Sequence, residues 1–402
     1  KASFKAFIVN RVGDAGFLIA LFIIFVFFRT FDFLGIWHQF DSFGVPKEFV
    51  GISSGLLLVM GLGLFLGAVG KSAQFPLQTW LPDAMAGPTP VSALIHAATM
   101  VAAGVFMLVR VFPFMSIPVL DIIALTGATT AFMGAFAAFA QNDIKKVLAF
   151  STVSQLGYMV MSIGVGSPDA AFFHLVTHAF FKASLFLCAG SVIHFLHQES
   201  DPQNMKKMGG LRKAVPFTFI AYTISMLALC GLPFFSGYFS KEAILSGTLE
   251  WFTYSSIGGI GWKVIVPLFA FLGVFMTAAY MGRQYFLVFF GEAKWKDTKQ
   301  KESWQVTVPV LILAALSTWV FYSINPFHAN TFLMKVLGYR GSAGSENLIN
   351  PFILGMVSTV LAVSGLGSSY IFFYKKRGQS LLVKIKNNVE KLSSNNWYLD
   401  DA

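Results

Sequence analysis

Ten apolar stretches follow one another along the chain, at 6–28, 49–86, 90–112, 119–140, 145–166, 169–197, 214–248, 262–290, 305–324 and 352–374. About 20 such residues let a helix cross the hydrocarbon core of a bilayer. No water is present there to satisfy exposed backbone groups, so separate spans are driven into helices that satisfy their own. This succession predicts an all-α polytopic membrane protein of about ten transmembrane helices. Composition agrees, with 55% of the 402 residues hydrophobic and only 12% charged. Disorder, a fibre, a disulfide scaffold and an ordinary soluble enzyme are excluded. Cys188 and Cys230 lie inside apolar stretches and offer neither a disulfide framework nor a cysteine metal site. The chain opens on Lys1 with no visible signal peptide, which reads as a start inside a longer polypeptide.

The net charge of +10 would ordinarily suggest nucleic acid. Here the basic residues cluster between spans, as orientation signals do, and no nucleic-acid partner is expected. An even number of spans puts both termini on one side. Nineteen basic residues then fall on that side, Lys145, Lys146, Lys206, Lys207, Arg212 and Lys213 among them, and six on the other. The asymmetry predicts both ends on the cytoplasmic face of a bacterial inner membrane, with the mitochondrial matrix face as the alternative. An amphipathic tail helix is expected near 380–393.

Two stretches are too long for one straight span. Residues 49–86 and 214–248 would form helices of about 57 and 52 Å, nearly twice the hydrocarbon thickness. The first contains Gly67, Gly70 and Pro76, and the second Gly231, Pro233 and Gly237. Both read as discontinuous helices. Broken backbone at membrane depth is tolerated where it lines a cavity or is buried in protein, and a pair of such breaks points to a transport site.

Each break carries a lysine, and intramembrane ionisable groups are functional hypotheses by default. Lys71 follows a charge-free run from 49 to 70, and Lys241 follows the second break with Glu242 as a possible charge partner. His96 lies midway along a neutral span. His174, His178 and Lys182 recur every four residues and so share one helix face. Two histidines at that spacing also suit zinc, but no Glu accompanies them in a His-Glu-x-x-His pattern. Asp14 sits just inside the first span, where Arg11 or a lysine on another helix can pair with it. Asp83 and Asp143 read as capping or orientation residues. There is no phosphate loop, cysteine quartet or hydrolase elbow. The inventory is one of titratable groups in series, which is what moving protons requires.

Gly-Ala-Val-Gly-Lys-Ser-Ala-Gln-Phe-Pro at 67–76 and Val-Ser-Ala-Leu-Ile-His-Ala-Ala-Thr-Met at 91–100 closely resemble the antiporter-like proton-pumping subunit of respiratory complex I, called subunit L in bacteria and subunit 5 in mitochondria. Arg-Val-Gly-Asp at 11–14, Phe-His-Leu-Val-Thr-His-Ala-Phe-Phe-Lys at 173–182, Lys-Met-Gly-Gly-Leu at 207–211 and Gly-Tyr-Phe-Ser-Lys-Glu at 237–242 extend the resemblance, which is dense over 1–290 and loose beyond. It implies two inverted five-helix repeats. On that reading 1–112 holds the last three helices of the first repeat and 113–290 the second. Residues 291–402 add two further spans and a basic tail.

The resemblance also implies roles. Lys71 and Lys241 become the lysines of the two half-paths, His96 the bridge, and His174, His178 and Lys182 the mid-plane connection; Asp14 and Glu242 are candidate charge partners on the reading of the residues alone. The family's upstream glutamate, which pairs with the residue at Lys71, and its long lateral helix fall outside the chain. No cofactor is expected in the chain itself; FMN, iron–sulfur clusters and quinone would reside in partner subunits. The expected partners are other membrane subunits of the complex, especially a neighbouring antiporter-like subunit, together with lipid, protons and water. The alternatives are the large subunit of a multisubunit sodium/proton antiporter, a related module coupled to hydrogenase or inorganic-carbon uptake, a non-conducting scaffold, and a metal enzyme using His174 and His178.

Overall fold

The computed structural model describes residues 2–40, 51–255, 261–295, 302–323 and 350–375. Among them eight helical segments are long and apolar enough to cross a membrane, and Pro216–Cys230 and Trp304–Ala315 are shorter apolar helices. The chain is an all-α, multi-pass membrane protein. The tail helix expected near 380–393 lies outside the described residues.

Helix α1 (Ala2–Phe28) packs along α2 (Ser54–Lys71). Glycine makes this contact close: a Cβ on Gly70 would lie 3.3 Å from the Gly13 Cα, and one on Gly67 would lie 2.9 Å from the Phe17 Cβ. The expected breakers Gly67 and Gly70 are therefore helical, and the interruption comes later, over 72–79. The helix is lost there because side chains replace its hydrogen bonds. Trp80 Nε1 donates to the Gly70 carbonyl (3.1 Å), Gln74 Nε2 to the Ser72 carbonyl (2.8 Å), and the Phe75 amide to Thr130 Oγ1 (3.0 Å). Only short turns, Trp80–Asp83 and Ala84–Ala86, follow.

The stretch expected as one helix over 90–112 is two, α3 (Thr89–Ala97) and α4 (Met100–Val111), parted at Ala98 and Thr99. No glycine or proline marks this kink. It lies beside the first interruption, where the Ser72 hydroxyl donates to the Val101 carbonyl at 2.7 Å.

Helices α5 (Ile117–Ala140), α6 (Ile144–Gly164) and α7 (Pro168–Phe195) follow. Gly127, Gly134, Gly157 and Gly164 line the α5–α6 contact, where an added Cβ would meet the partner's backbone. Small residues are what let helices associate in a medium as apolar as their side chains.

The second interruption, between α8 (Pro216–Cys230) and α9 (Ser236–Ser255), falls where the sequence places it. Gly231 ends α8 in the left-handed region (φ 75°), its amide donating to the Ala228 carbonyl at 3.0 Å. Helix α10 (Ile265–Phe289) precedes α11 (Trp304–Ala315), which stops well short of the expected 324. The reason lies across the bundle. The Ser236 amide donates to the Ser317 carbonyl (2.9 Å) and the Trp319 amide to the Phe234 carbonyl (3.3 Å), so the two interruptions satisfy each other's backbone. Helix α12 (Pro351–Ser369) closes the described chain against α10.

Contacts between connections fall into two groups. Lys5–Asp83, Lys145 to the Gly87 carbonyl, Arg283 to Asn142 and Lys294 to the Lys206 carbonyl join the end that carries the N-terminus. Lys263–Asp121 and the Arg110–Phe33 stack join the other. This is the grouping used to count basic residues on each side.

Candidate functional site

Helix α6 is the least apolar of the eight spans, and all of its residues except Lys146 are buried. Ser151, Gln155, Tyr158 and Ser162, at four-, three- and four-residue steps, form a polar stripe along it. In a bilayer such a stripe must face protein, and it meets helices that carry the predicted residues.

His174, His178 and Lys182 line one face of α7, and all three are fully buried. His174 is held at both ring nitrogens, Nδ1 by Ser240 Oγ on α9 (2.8 Å) and Nε2 by Gln155 Oε1 on α6 (3.2 Å). Thr177 Oγ1 lies 3.1 Å from the same Ser240 hydroxyl. The His178 ring stands 6.2 Å from that of His174, with the Ala97 backbone close by. Among the described residues no hydrogen bond is completed at either nitrogen of His178 or of His96. His96 packs its ring 4.9 Å from Phe186, whose face also receives the Lys182 ammonium at 5.9 Å. Lys182 Nζ donates to the Leu148 carbonyl (3.1 Å) and to Ser151 Oγ.

Lys241 is 3% exposed and turns back toward the break. It donates to the Leu229 carbonyl (2.6 Å) and lies 5.8 Å from the Tyr158 ring centre. Its contact with Leu229 exists because α8 has ended: Gly231 leaves the last carbonyls without helical partners. Glu242, one residue on, points elsewhere. Its carboxylate bonds the Tyr238 hydroxyl and lies beside Gly355 on α12. The expected pairing of Glu242 with Lys241 is thus not formed, because neighbours on a helix project about 100° apart. Among the described residues no carboxylate reaches Lys182 or Lys241. A lysine held only by neutral acceptors is one whose charge answers to the charges around it.

Lys71 stands apart. It pairs with Asp14 at 3.2 Å, and Asp14 also holds Arg11 at 3.3 Å. Both anticipated partners of Asp14 are therefore realised. The Lys71 side chain is 37% exposed, on the face of α2 shared with α1, and no hydrogen bond or ring contact joins it to His96. Asp143 caps α6, accepting from the Lys145 and Lys146 amides at 2.7 and 3.2 Å, whereas Asp83 binds Lys5.

The residues missed from sequence are the neutral ones that connect the titratable ones: Ser151, Gln155, Thr177, Ser240, and Tyr280 beside Ser151 and Gln155. The α6 stripe was a signal for two of them, Ser151 and Gln155. Orphaned nitrogens of His96 and His178, with Gln155 Nε2 and Tyr280 OH, surround the same region. Buried polar atoms of this kind are ordinarily served by bound water. Among the described residues no three His, Cys, Asp or Glu side chains converge as a metal site would need. The arrangement offers hydrogen-bonded steps between groups that gain and lose protons, set inside an apolar wall.

The transmembrane family of NADH:quinone oxidoreductase and Mrp antiporter proteins matches residues 1–262. Subunit 5 of the chloroplast NAD(P)H-quinone oxidoreductase of Mesostigma viride is 41% identical over 99% of this chain and 61% of its own length. Subunit L of the NADH-quinone oxidoreductase of Neisseria meningitidis is 38% identical over 99% and 63%. Chain 5 of the NADH-ubiquinone oxidoreductase of Metridium senile is 45% identical over 80% and 51%. The chain thus spans about three-fifths of the length of its full-coverage relatives. Among solved structures, the Mrp complex from Dietzia sp. superposes over 100% of this chain and 43% of its own, with a TM-score of 0.74 at 25% identity. With its all-α fold, paired interruptions and buried His–Lys series, the chain belongs to the NADH:quinone oxidoreductase/Mrp antiporter transmembrane family.

Proposed function

We propose that the chain is the central part of an antiporter-like, proton-translocating subunit in the membrane arm of an NADH:quinone oxidoreductase. The observation that carries this is the buried series His96, His178, His174 and Lys241, with Lys182 beside it, drawn from α3, α7 and α9, in which Gln155 and Ser240 hold His174 and Ser151 holds Lys182. On this reading the Lys71–Asp14 pair holds a proton while the carboxylate is charged. Weakening that pair sends the proton through His96 and the α7 stripe to Lys241, which releases it on the far side. Water bridges the gap between Lys71 and His96. Redox energy comes from elsewhere: FMN, iron–sulfur clusters and quinone belong to partner subunits, and a neighbouring antiporter-like subunit abuts this one. The basic asymmetry orients both ends toward the cytoplasm of a bacterial inner membrane.

In the assembled complex, Lys71→Ala abolishes most proton transport through this subunit, so the proton-to-electron ratio falls. A wild-type ratio in that variant refutes the reading. A second reading, the large subunit of a sodium/proton antiporter, draws on the Mrp complex sharing this fold over the whole chain. Sodium transport by the purified complex without NADH supports it.

A further inference from the structure

Helix α7 has a second polar face, opposite the histidines and Lys182. Ser191, Cys188 and Ser184, at three- and four-residue steps, point at α8 rather than α6. Ser191 Oγ lies 3.0 Å from Thr218 Oγ1, and Cys188 Sγ is 3.6 Å from the Thr218 carbonyl. Ser225 Oγ donates to Ser184 Oγ at 2.7 Å, and Ser184 also reaches the Val310 carbonyl on α11 (3.5 Å). At the outer end Glu302 accepts from the Phe217 and Thr218 amides at 3.0 and 2.8 Å. The column runs about 10 Å along α7, from position 191 to 184 at 1.5 Å per residue, ending two residues from Lys182.

Two further observations say that the column is more than packing. Its outer end opens into a crevice of about 680 Å³, lined by Ser191, His194, Lys145 and Glu302 among others. That is space for many waters, on the side that carries the N-terminus. Near Cys188 the Tyr222 hydroxyl is fully buried and, among the described residues, without a hydrogen-bond partner. An orphan hydroxyl beside a polar file whose outer end opens into a crevice is the arrangement a short file of water satisfies.

We infer that the Glu302–Thr218–Ser191–Cys188–Ser184/Ser225 column is a water-accessible branch that admits protons from the crevice to the depth of Lys182. Its conducting part rests on the proposed function; its water access does not. The thiols test it, since Cys188 lies on the column and Cys230 lies beyond it. Membrane vesicles of the complex with the crevice side outward are treated with methanethiosulfonate ethylammonium. Ser191→Cys (made with Cys188→Ser and Cys230→Ser) and native Cys188 should react about tenfold or more faster than native Cys230, since access governs thiol labelling here. Reaction no faster than at Cys230 overturns the inference. In the labelled Ser191→Cys complex the proton-to-electron ratio should fall, and an unchanged ratio with full labelling overturns the proton-admitting role. The Lys71→Ala measurement is independent of both: a wild-type ratio there refutes the proposed function and leaves the labelling result standing.

Discussion

Gly231 offers a controlled way to move Lys241 without changing its chemistry. It sits at φ 75°, and a Cβ built there would lie 2.9 Å from the Lys241 Cδ. Gly291 has nearly the same backbone, φ 81°, with nothing within 4 Å of an added Cβ. Alanine at either position costs about 1–2 kcal/mol for the left-handed backbone. Only at 231 must a neighbour also move, because carbon atoms prefer separations of about 3.5–4.0 Å. A shift of about 0.6–1 Å in the lysine stem stretches its contact with the Leu229 carbonyl, now at 2.6 Å, to the outer limit of a hydrogen bond or past it. A hydrogen bond to a charged group contributes about 1.5–3 kcal/mol, and 1.4 kcal/mol is a factor of ten. Gly231→Ala should therefore lower proton transport through this subunit by about tenfold or more. Gly291→Ala should carry the backbone cost alone, be the more heat-stable of the two and leave transport at the wild-type level. The assay is the proton-to-electron ratio of the assembled complex in sealed vesicles, beside its thermal inactivation. Equal transport in the two variants would refute the link between the break and Lys241.

Three further outcomes follow from the packing. Gly157→Val should block assembly, because even a Cβ there meets the Ala131 amide and stands 2.8 Å from the Ala131 Cα, whereas Gly367→Ala, with open space around it, should assemble normally on a blue native gel. Gln155→Leu removes the partner of His174 Nε2 but also a buried amide nitrogen that has no acceptor, so stability should change by less than about 2 kcal/mol while transport falls; full transport would remove Gln155 from the path. Asp83→Asn breaks an ion pair whose side chains are 25% and 35% exposed, and chemical denaturation should register less than about 1 kcal/mol.

The spans were legible because hydrocarbon leaves few choices: a run of apolar residues must become a helix, and basic clusters mark its ends. The second break was legible too, since Gly231 occupies the one conformation that only glycine takes easily. Of the three markers of the first, Pro76 lies inside the interruption, whereas Gly67 and Gly70 serve a different purpose. Glycine inside a membrane helix lets a neighbour approach, and nothing in the local sequence separates that use from chain breaking. The kink at Ala98 and the early end of α11 could not be read locally. Each sits against another interruption, at Ser72 and at Phe234–Ser236, so the partner that stabilises it is distant in sequence. Asp14 was expected to meet Arg11 or a lysine on another helix, and it meets both, the lysine being Lys71. The divergence of Lys241 and Glu242 follows from helix geometry alone.

The connecting residues of the site follow from a rule opposite in emphasis to that of soluble proteins. Where solvent is apolar, burial sorts side chains by what lipid cannot accept. Helix α1, among the most apolar spans, buries only six of its 27 residues and turns Phe4, Phe22 and Leu18 outward, whereas α6, the least apolar, buries all but Lys146. Ser151 and Gln155 cannot face lipid without leaving hydroxyl and amide groups unpaired at a cost of about 1–3 kcal/mol each. They are driven to the bundle axis, and once there they need partners. Lys182 and His174 need the same thing for the same reason. The Lys182 ammonium and the Ser151 hydroxyl satisfy each other, as do the His174 ring and the Gln155 amide. The apolar medium that makes the fold simple thus also gathers the polar series: the groups it excludes collect on one axis.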